Sequence, residues 1–374
     1  MAGKKRSPGR KVSKVRRIKN ASETLDGMTI LICGGAGFIG SNFIHYLLGK
    51  YPKVRIINLD KLAYSGNLDN LREVEKDKRY TFVRGDIANP KKINSIFKKY
   101  EPDYVINFAA ETHVDRSIHV GALEFIHTNV VGVFNILEAV KASEHIKKFV
   151  QVSTDEVYGS LPLDSSEKFR ETTPFAPNAP YAATKAGGDV LCRAYHSTWG
   201  IPAVVTHCSN NFGPRQYPEK LIPFFLLRMF EDKKLPLYGD GRHVRDWIYV
   251  FDHCKALELC LLRGTPGAVY NIGADNEMSN REIAALILSH FGRDNTYIEF
   301  VGDRPGHDRR YAIDSSRIQK ELGWKPTYSF KDAFQETITW YTDNRKWIER
   351  VRRKTGVFNP HIDLWRKHNI IAEE

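Results

Sequence analysis

The 374-residue chain is 42% apolar and 27% charged, the balance of a globular protein with one large core or two smaller ones. No apolar run reads as a membrane span, and the first residues lack a signal peptide's apolar segment. The net charge of +12 suggests acidic partners, but residues 1–20 hold nine Lys or Arg and no acid, leaving only +3 for residues 21–374. A nearly balanced body therefore carries a basic tail.

That tail is poor in apolar side chains, and residues 1–25 are expected to be disordered. It could be a solvated extension, a weak nucleic-acid contact, a nuclear address or a transit peptide. Cys33, Cys192, Cys208, Cys254 and Cys260 form no C-x-x-C pair. An odd, scattered set reads as reduced thiols of a cytoplasmic protein, and no metal site is expected.

The run from Met28 to Cys33 predicts a buried strand, followed at once by Gly34-Gly35-Ala36-Gly37-Phe38-Ile39-Gly40 and a helical face through Phe43, Ile44, Leu47 and Leu48. Gly34, Gly37 and Gly40 stand at a strand-to-helix turn. Their missing side chains allow a tight bend and close approach of a pyrophosphate to the helix N-terminus. A second strand, Val54 to Leu59, ends at Asp60, 20 residues beyond Gly40. An acid there accepts hydrogen bonds from a ribose diol and repels a 2′-phosphate, favouring NAD over NADP. Lys61 beside it weakens that preference.

The pattern then repeats. Tyr80 to Val83 leads to Asp86-Ile87, which could flank an adenine, and Tyr104 to Phe108 leads to Ala109-Ala110, whose small side chains would let a cofactor lie close. Strands alternating with helical stretches predict an α/β fold, a Rossmann-type doubly wound parallel sheet, with a smaller C-terminal α/β substrate-binding lobe. A helix is expected from about 122 to 144, with an apolar face that could be core or an intersubunit seam.

Phe149 to Val152 reads as a strand that delivers Ser153-Thr154-Asp155-Glu156. Two adjacent carboxyls at a strand end are costly when buried and idle, and a solvated loop is the plain alternative. Both can face one ligand only if the strand has ended or bent, because successive strand residues point to opposite sides. Downstream, Tyr181 and Lys185 stand four apart and share a helix face. A nearby ammonium stabilises a phenolate, so the pair could act as a base.

These segments carry a resemblance. Residues 109–117, 153–159, 209–214, 218–223, 244–247 and 303–311 are similar in order and content to the extended short-chain dehydrogenase/reductase family, in its sugar-nucleotide 4,6-dehydratase branch. The likeness spans about residues 28–345. It implies an NAD-dependent lyase in which Tyr181, aided by Lys185 and Thr154, takes the proton of the sugar's 4-hydroxyl. Glu156 would remove the proton on carbon 5, and Asp155 would protonate the hydroxyl leaving carbon 6. NAD would borrow a hydride and return it.

The resemblance also assigns binding positions. Gly34, Gly37, Phe38, Ile39, Gly40, Asp60, Lys61, Leu62, Ala63, Asp86, Ile87, Phe108, Ala109, Ala110, Thr128, Tyr181, Lys185 and Asn211 would meet the cofactor. Thr112, Thr154 and Asn210 would meet the sugar, and Lys220 and Arg245 the diphosphate. Leu221, Pro236, Leu237, Tyr238, Asn280, Asp303, Arg304 and His307 would hold the nucleotide, with Arg309 and Arg310 as further phosphate charge. Cys33, Ala63 and Thr112 depart from common family residues without removing a catalytic group.

The expected organisation is a tail over 1–25, a cofactor-binding unit with the catalytic residues over 26–210, a mainly nucleotide-binding lobe over 211–350, and an extension over 351–374. The substrate would be a dTDP- or UDP-linked glucose, with dTDP favoured, and a homodimer through helices near 122–144 and 181–199 is implied. Alternatives are a 4-epimerase, which has no use for Asp155 and Glu156, and a non-catalytic protein using its tail on nucleic acid. The body itself should contact neither membrane nor nucleic acid.

Overall fold

The computed structural model describes residues 24–119 and 121–355. Twelve strands occur among them: β1 Thr29–Cys33, β2 Arg55–Asp60, β3 Tyr80–Arg84, β4 Tyr104–Asn107, β5 Lys148–Thr154, β6 Ala203–Cys208, β7 Asn210–Phe212, β8 Leu235–Tyr238, β9 Val244–Tyr249, β10 Val269–Ile272, β11 Glu277–Ser279 and β12 Ile298–Val301. Seven form one sheet in the order β10-β6-β5-β4-β1-β2-β3, and every pairing in it is parallel.

Both sheet faces are covered, so the strands are apolar throughout rather than alternating. In β1, Ile30 and Ile32 join a core with Phe43, Ile44 and Leu47 of the helix Phe38–Lys50 and with the helix Val250–Arg263. Leu31 and Cys33 point the other way, into a core with Ile93, Phe97, Val133, Ile136 and Cys192. This is the expected doubly wound sheet. Its strand order reverses beside β1, between β1 and β4, and that switch point is where such sheets bind ligands. The smaller lobe holds a β11-β9-β7 sheet, a β8-β12 pair and the helices Leu221–Phe230 and Asn280–His290.

Residue 210 is not a boundary in space. The seventh strand, β10, comes from the C-terminal half and pairs with β6, and the helix Val250–Arg263 packs beneath the main sheet. The chain thus returns from the smaller lobe to the main sheet, where β10 takes the edge position beside β6. The expected tail ends earlier than residue 25, since Leu25 is fully buried and its carbonyl accepts from Met28 N–H; residues 1–23 lie outside the described residues. The helix Arg345–Thr355 runs across the expected boundary at 351, and residues 356–374 also lie outside.

The helix expected over 122–144 spans 123–142, with a π turn at His127–Gly132. By length and composition alone this segment could cross a membrane, but 56% of its apolar 18-residue window is buried inside the fold, as in a core helix.

Candidate active site

A cavity of about 260 Å3 opens over the C-terminal ends of β1, β2, β4 and β5. Its floor is the glycine loop. Gly34 has φ +79, and a Cβ there would sit 2.7 Å from Ala109 Cα; a Cβ on Gly40 would sit 2.8 Å from Gly35 Cα. No side chain caps the helix Phe38–Lys50 at Gly37, so its first N–H groups face the cavity. Asp60 is buried at the end of β2, with its two oxygens accepting from Ala36 N–H at 2.9 Å and Leu62 N–H at 2.7 Å. Burial pushes its carboxyl up, and those two bonds oppose the shift.

Lys61 is engaged by Thr128 Oγ1 at 2.9 Å and Glu111 at 3.1 Å. A side-chain-free cradle at a helix start beside a fixed carboxylate fits a dinucleotide with a free ribose diol. These residues therefore fit NAD.

β5 ends at Thr154, and Asp155–Tyr158 is a single 3-10 turn. Thr154 Oγ1 caps that turn by accepting from Glu156 N–H at 3.3 Å. The turn meets the geometric demand of the sequence: Asp155 and Glu156 leave strand alternation and both line the cavity. Their surroundings differ. Asp155 is 1% exposed, and burial, reinforced by the neighbouring Glu156, pushes its carboxyl well above the usual range. Its Oδ2 has no hydrogen-bond partner among the described residues. Burial also raises Glu156, but Arg304, Lys220 and Arg245 draw it back toward the charged form. Both carboxyls are thus pushed up, Asp155 further, so that of the pair Asp155 holds its proton more firmly and Glu156 ionises first.

Tyr181 and Lys185 sit on the buried face of the helix Pro180–Trp199, which begins with proline at its first turn. Burial and the Glu156 charge raise the Tyr181 phenol, while its hydrogen bond to Thr154 lowers it. Lys185 Nζ donates to Val152 O at 2.7 Å, which ties it to β5. Burial lowers the ammonium, and Asp189, one turn further on, opposes this. Lys185 is not among the main influences on the phenol, so its expected effect on Tyr181 is not visible in this arrangement.

A second cavity of about 170 Å3 adjoins the first and shares Glu156, Asn210, Glu219 and Lys220 with it. Leu221, Pro236, Leu237, Tyr238, Arg245, Asn280, Arg304 and His307 line it. Arg245 is buried there, and the half-buried Arg304 faces Asp115 at 3.7 Å. Most of the expected phosphate and nucleotide positions thus converge on one pocket, which meets the first cavity at Glu156.

In the first cavity lie Gly34, Gly37, Phe38, Ile39, Gly40, Asp60, Lys61, Ala63, Asp86, Ile87, Phe108, Ala109, Ala110, Thr112, Thr128, Thr154, Tyr181, Lys185 and Asn211. Leu62 is not among its lining residues. Its left-handed backbone (φ 57) delivers its N–H to Asp60, and its side chain packs on the core. Asp303 lines neither cavity and stands behind His307. Arg309 and Arg310 are also absent from both, being held by Asp240 and Glu277.

Sequence reasoning missed Glu219, which lines both cavities, accepts from Tyr64 OH at 2.9 Å and lies 3.5 Å from His113 Nε2. Its place beside Lys220 in a matching segment was the available signal. Tyr311 and Asp115, which line the second cavity, were hidden the same way.

The family model described as GDP-mannose 4,6 dehydratase matches residues 31–337. A dTDP-glucose 4,6-dehydratase of Actinoplanes sp. is 48% identical over 325 residues, covering 86% of this chain and 99% of the relative. Among solved structures, the dTDP-glucose 4,6-dehydratase of Bacillus anthracis in complex with NAD superposes with a TM-score of 0.81 at 47% identity, over 87% of this chain and 99% of that one. The enzyme of Streptomyces venezuelae with NAD bound gives 0.83 at 45% identity, over 87% and 100%. The sheet, the glycine loop, the Thr154-Asp155-Glu156 turn and the Tyr181/Lys185 helix stand together, and the chain belongs to the dTDP-glucose 4,6-dehydratase family of extended short-chain dehydrogenases/reductases.

Proposed function

We propose that this chain is an NAD-dependent hydro-lyase that converts dTDP-glucose to dTDP-4-keto-6-deoxyglucose. The observation that carries the reading is the 3-10 turn after β5, which brings two carboxyls into one cavity beside Tyr181, both raised by burial but only Glu156 drawn back toward the charged form by nearby arginines and lysine. Bound NAD supplies a reversible hydride acceptor, so the carbon oxidised early in the reaction and the carbon reduced at its end need no outside reductant.

The residues divide the remaining tasks. Tyr181 takes the proton from the 4-hydroxyl, and the Thr154 hydroxyl orients that group. Lys185, tied to β5 through Val152 O in the same cavity, would help to hold the bound cofactor. The ketone at carbon 4 acidifies the proton on carbon 5, which Glu156 removes. Asp155, kept protonated by burial and by the Glu156 charge, hands its proton to the hydroxyl departing from carbon 6. Arg245, Arg304 and Lys220 take the diphosphate charge and also keep Glu156 able to ionise. A 4-epimerase needs none of the acid–base asymmetry at 155 and 156.

The test supplies dTDP-glucose and UDP-glucose separately and weighs the products. Loss of one water from dTDP-glucose supports the reading, and an isomer of unchanged mass refutes it. A faster reaction with UDP-glucose would move the substrate to the uracil nucleotide; one methyl in a pocket is worth about 1–3 kcal/mol.

The quaternary state we propose is a homodimer. Leu123, Ile126, Val131 and Phe134 on segment 123–142, and Val190 and Trp199 on the helix Pro180–Trp199, are exposed apolar residues on adjoining elements. A second copy covering them would bury the patch. The reduced, buried cysteines suit a cytoplasmic setting.

A further inference from the structure

Asp303 joins two imidazoles from distant parts of the sequence. His243 immediately precedes β9, and His307 lies in the segment after β12. Their rings stack, with centroids 3.6 Å apart and planes 13° apart. Asp303 Oδ1 lies 2.5 Å from His307 Nδ1, and Oδ2 lies 3.2 Å from His243 Nε2. One donor atom from each residue fits within 4.8 Å of the others. The His243 side chain is fully buried and that of His307 is 5% exposed, whereas Asp303 at 38% exposure reaches solvent.

The contacts of His243 cannot all be satisfied by hydrogen bonds. Its Nε2 lies 3.2 Å from the Asp303 carboxylate and 3.2 Å from Arg309 Nη1. If Nε2 carries a proton it confronts a guanidinium donor; if it carries a lone pair it confronts a carboxylate acceptor. The other ring nitrogen, Nδ1, has no hydrogen-bond partner among the described residues. Arg309 Nη1 has two hydrogens and can donate to Asp240 Oδ1 at 3.0 Å and to the Nε2 lone pair at 3.2 Å, which leaves the Asp303 carboxylate against that nitrogen with no proton between them. A lone pair facing a carboxylate across a short gap is relieved by a cation placed between them.

We propose that His243, His307 and Asp303 form a three-ligand site for a transition-metal dication of the zinc or cobalt class. Two imidazoles and one carboxylate suit these borderline ions, whereas calcium and magnesium favour all-oxygen sets. At a metal–nitrogen distance of about 2.0–2.1 Å, the ion replaces the Asp303–His307 hydrogen bond, fills the gap between Asp303 and His243, and the stacked rings swing apart around it. Water reaches the remaining coordination position past Asp303. No step of the dehydration uses this site, but it adjoins the nucleotide pocket through His307.

The test uses the full-length chain stripped with a chelator and titrated with cobalt(II) chloride. One equivalent should bind per chain, with the visible absorption of a four- or five-coordinate ion, and zinc should displace it. His243→Gln should weaken cobalt binding about 100-fold or more. Asp303→Asn, at a part-exposed position where folding is least threatened, should weaken it comparably. Circular dichroism in chelator checks that each variant is folded. Absence of saturable binding in the unaltered chain, or unchanged affinity in either folded variant, overturns the proposal.

Discussion

Replacing Asp155 by asparagine separates the acid step from everything before it. The side chain is nearly isosteric, and Thr154 Oγ1, which lies 3.3 Å from Asp155 Oδ1, can still donate to an amide oxygen. What disappears is the proton that burial and Glu156 keep on the carboxyl. General acid catalysis contributes about 10²–10⁴-fold, which corresponds to roughly 3–5 kcal/mol of barrier. At 1% exposure Asp155 leaves little room for water to act as a substitute acid, which places the expected loss in the upper part of that range. Tyr181, Lys185 and Thr154 are untouched, so oxidation at carbon 4 should proceed. In a single-turnover mix with dTDP-glucose, absorbance of reduced nicotinamide should rise at nearly the normal rate and then persist. Turnover within threefold of normal, or failure of the absorbance to rise, would refute the assigned role.

Glu156→Gln should also accumulate the ketone, and exchange of the carbon 5 proton with deuterated solvent should fall by about 10²-fold or more; normal exchange would show that another group is the base. Gly34→Ala places a methyl 2.7 Å from Ala109 Cα at a left-handed backbone position. Copurifying NAD should fall below one-tenth of normal and the melting temperature should drop, whereas full NAD content would contradict the close-approach argument. The stability of the chain should also depend on pH in an unusual direction. Burial raises Asp155 and takes Asp246 up to about 6, so the folded state keeps protons that the unfolded chain has lost. For such raised carboxyls, stability declines as pH climbs from the ordinary carboxylate value, about 4, through the folded value. Asp155→Asn should flatten that decline in urea melts between pH 4 and 7, and a steeper decline in the variant would contradict it.

The sheet was legible because its strands are short apolar runs, each ending in a turn residue with a chemical reason to be there. Asp60 at the end of β2 and Thr154 at the end of β5 mark ligand-facing positions by their place in the α/β repeat. What resisted reading was contact between distant segments. Nothing local in Val269–Ile272 says that it completes the main sheet beside β6, because a four-residue strand carries no pairing preference of its own. The resemblance offered Leu62 as a cofactor neighbour, and in the fold its side chain packs on the core while its N–H serves Asp60. The turn at Asp155–Tyr158 depends on one side-chain cap from Thr154, a detail below the resolution of periodicity. Glu219 and Asp115 gained importance only when two cavities met, and His243 only when folding brought it against His307.

The most direct test of the central claim follows a single hydrogen. dTDP-glucose carrying deuterium on carbon 4 should give a 6-deoxy-4-keto product with that deuterium on carbon 6 and one water lost, in normal solvent and without added reductant. Deuterium washed out to solvent, or a product of unchanged mass with the label still on carbon 4, would contradict an internal transfer completed by the Asp155/Glu156 elimination.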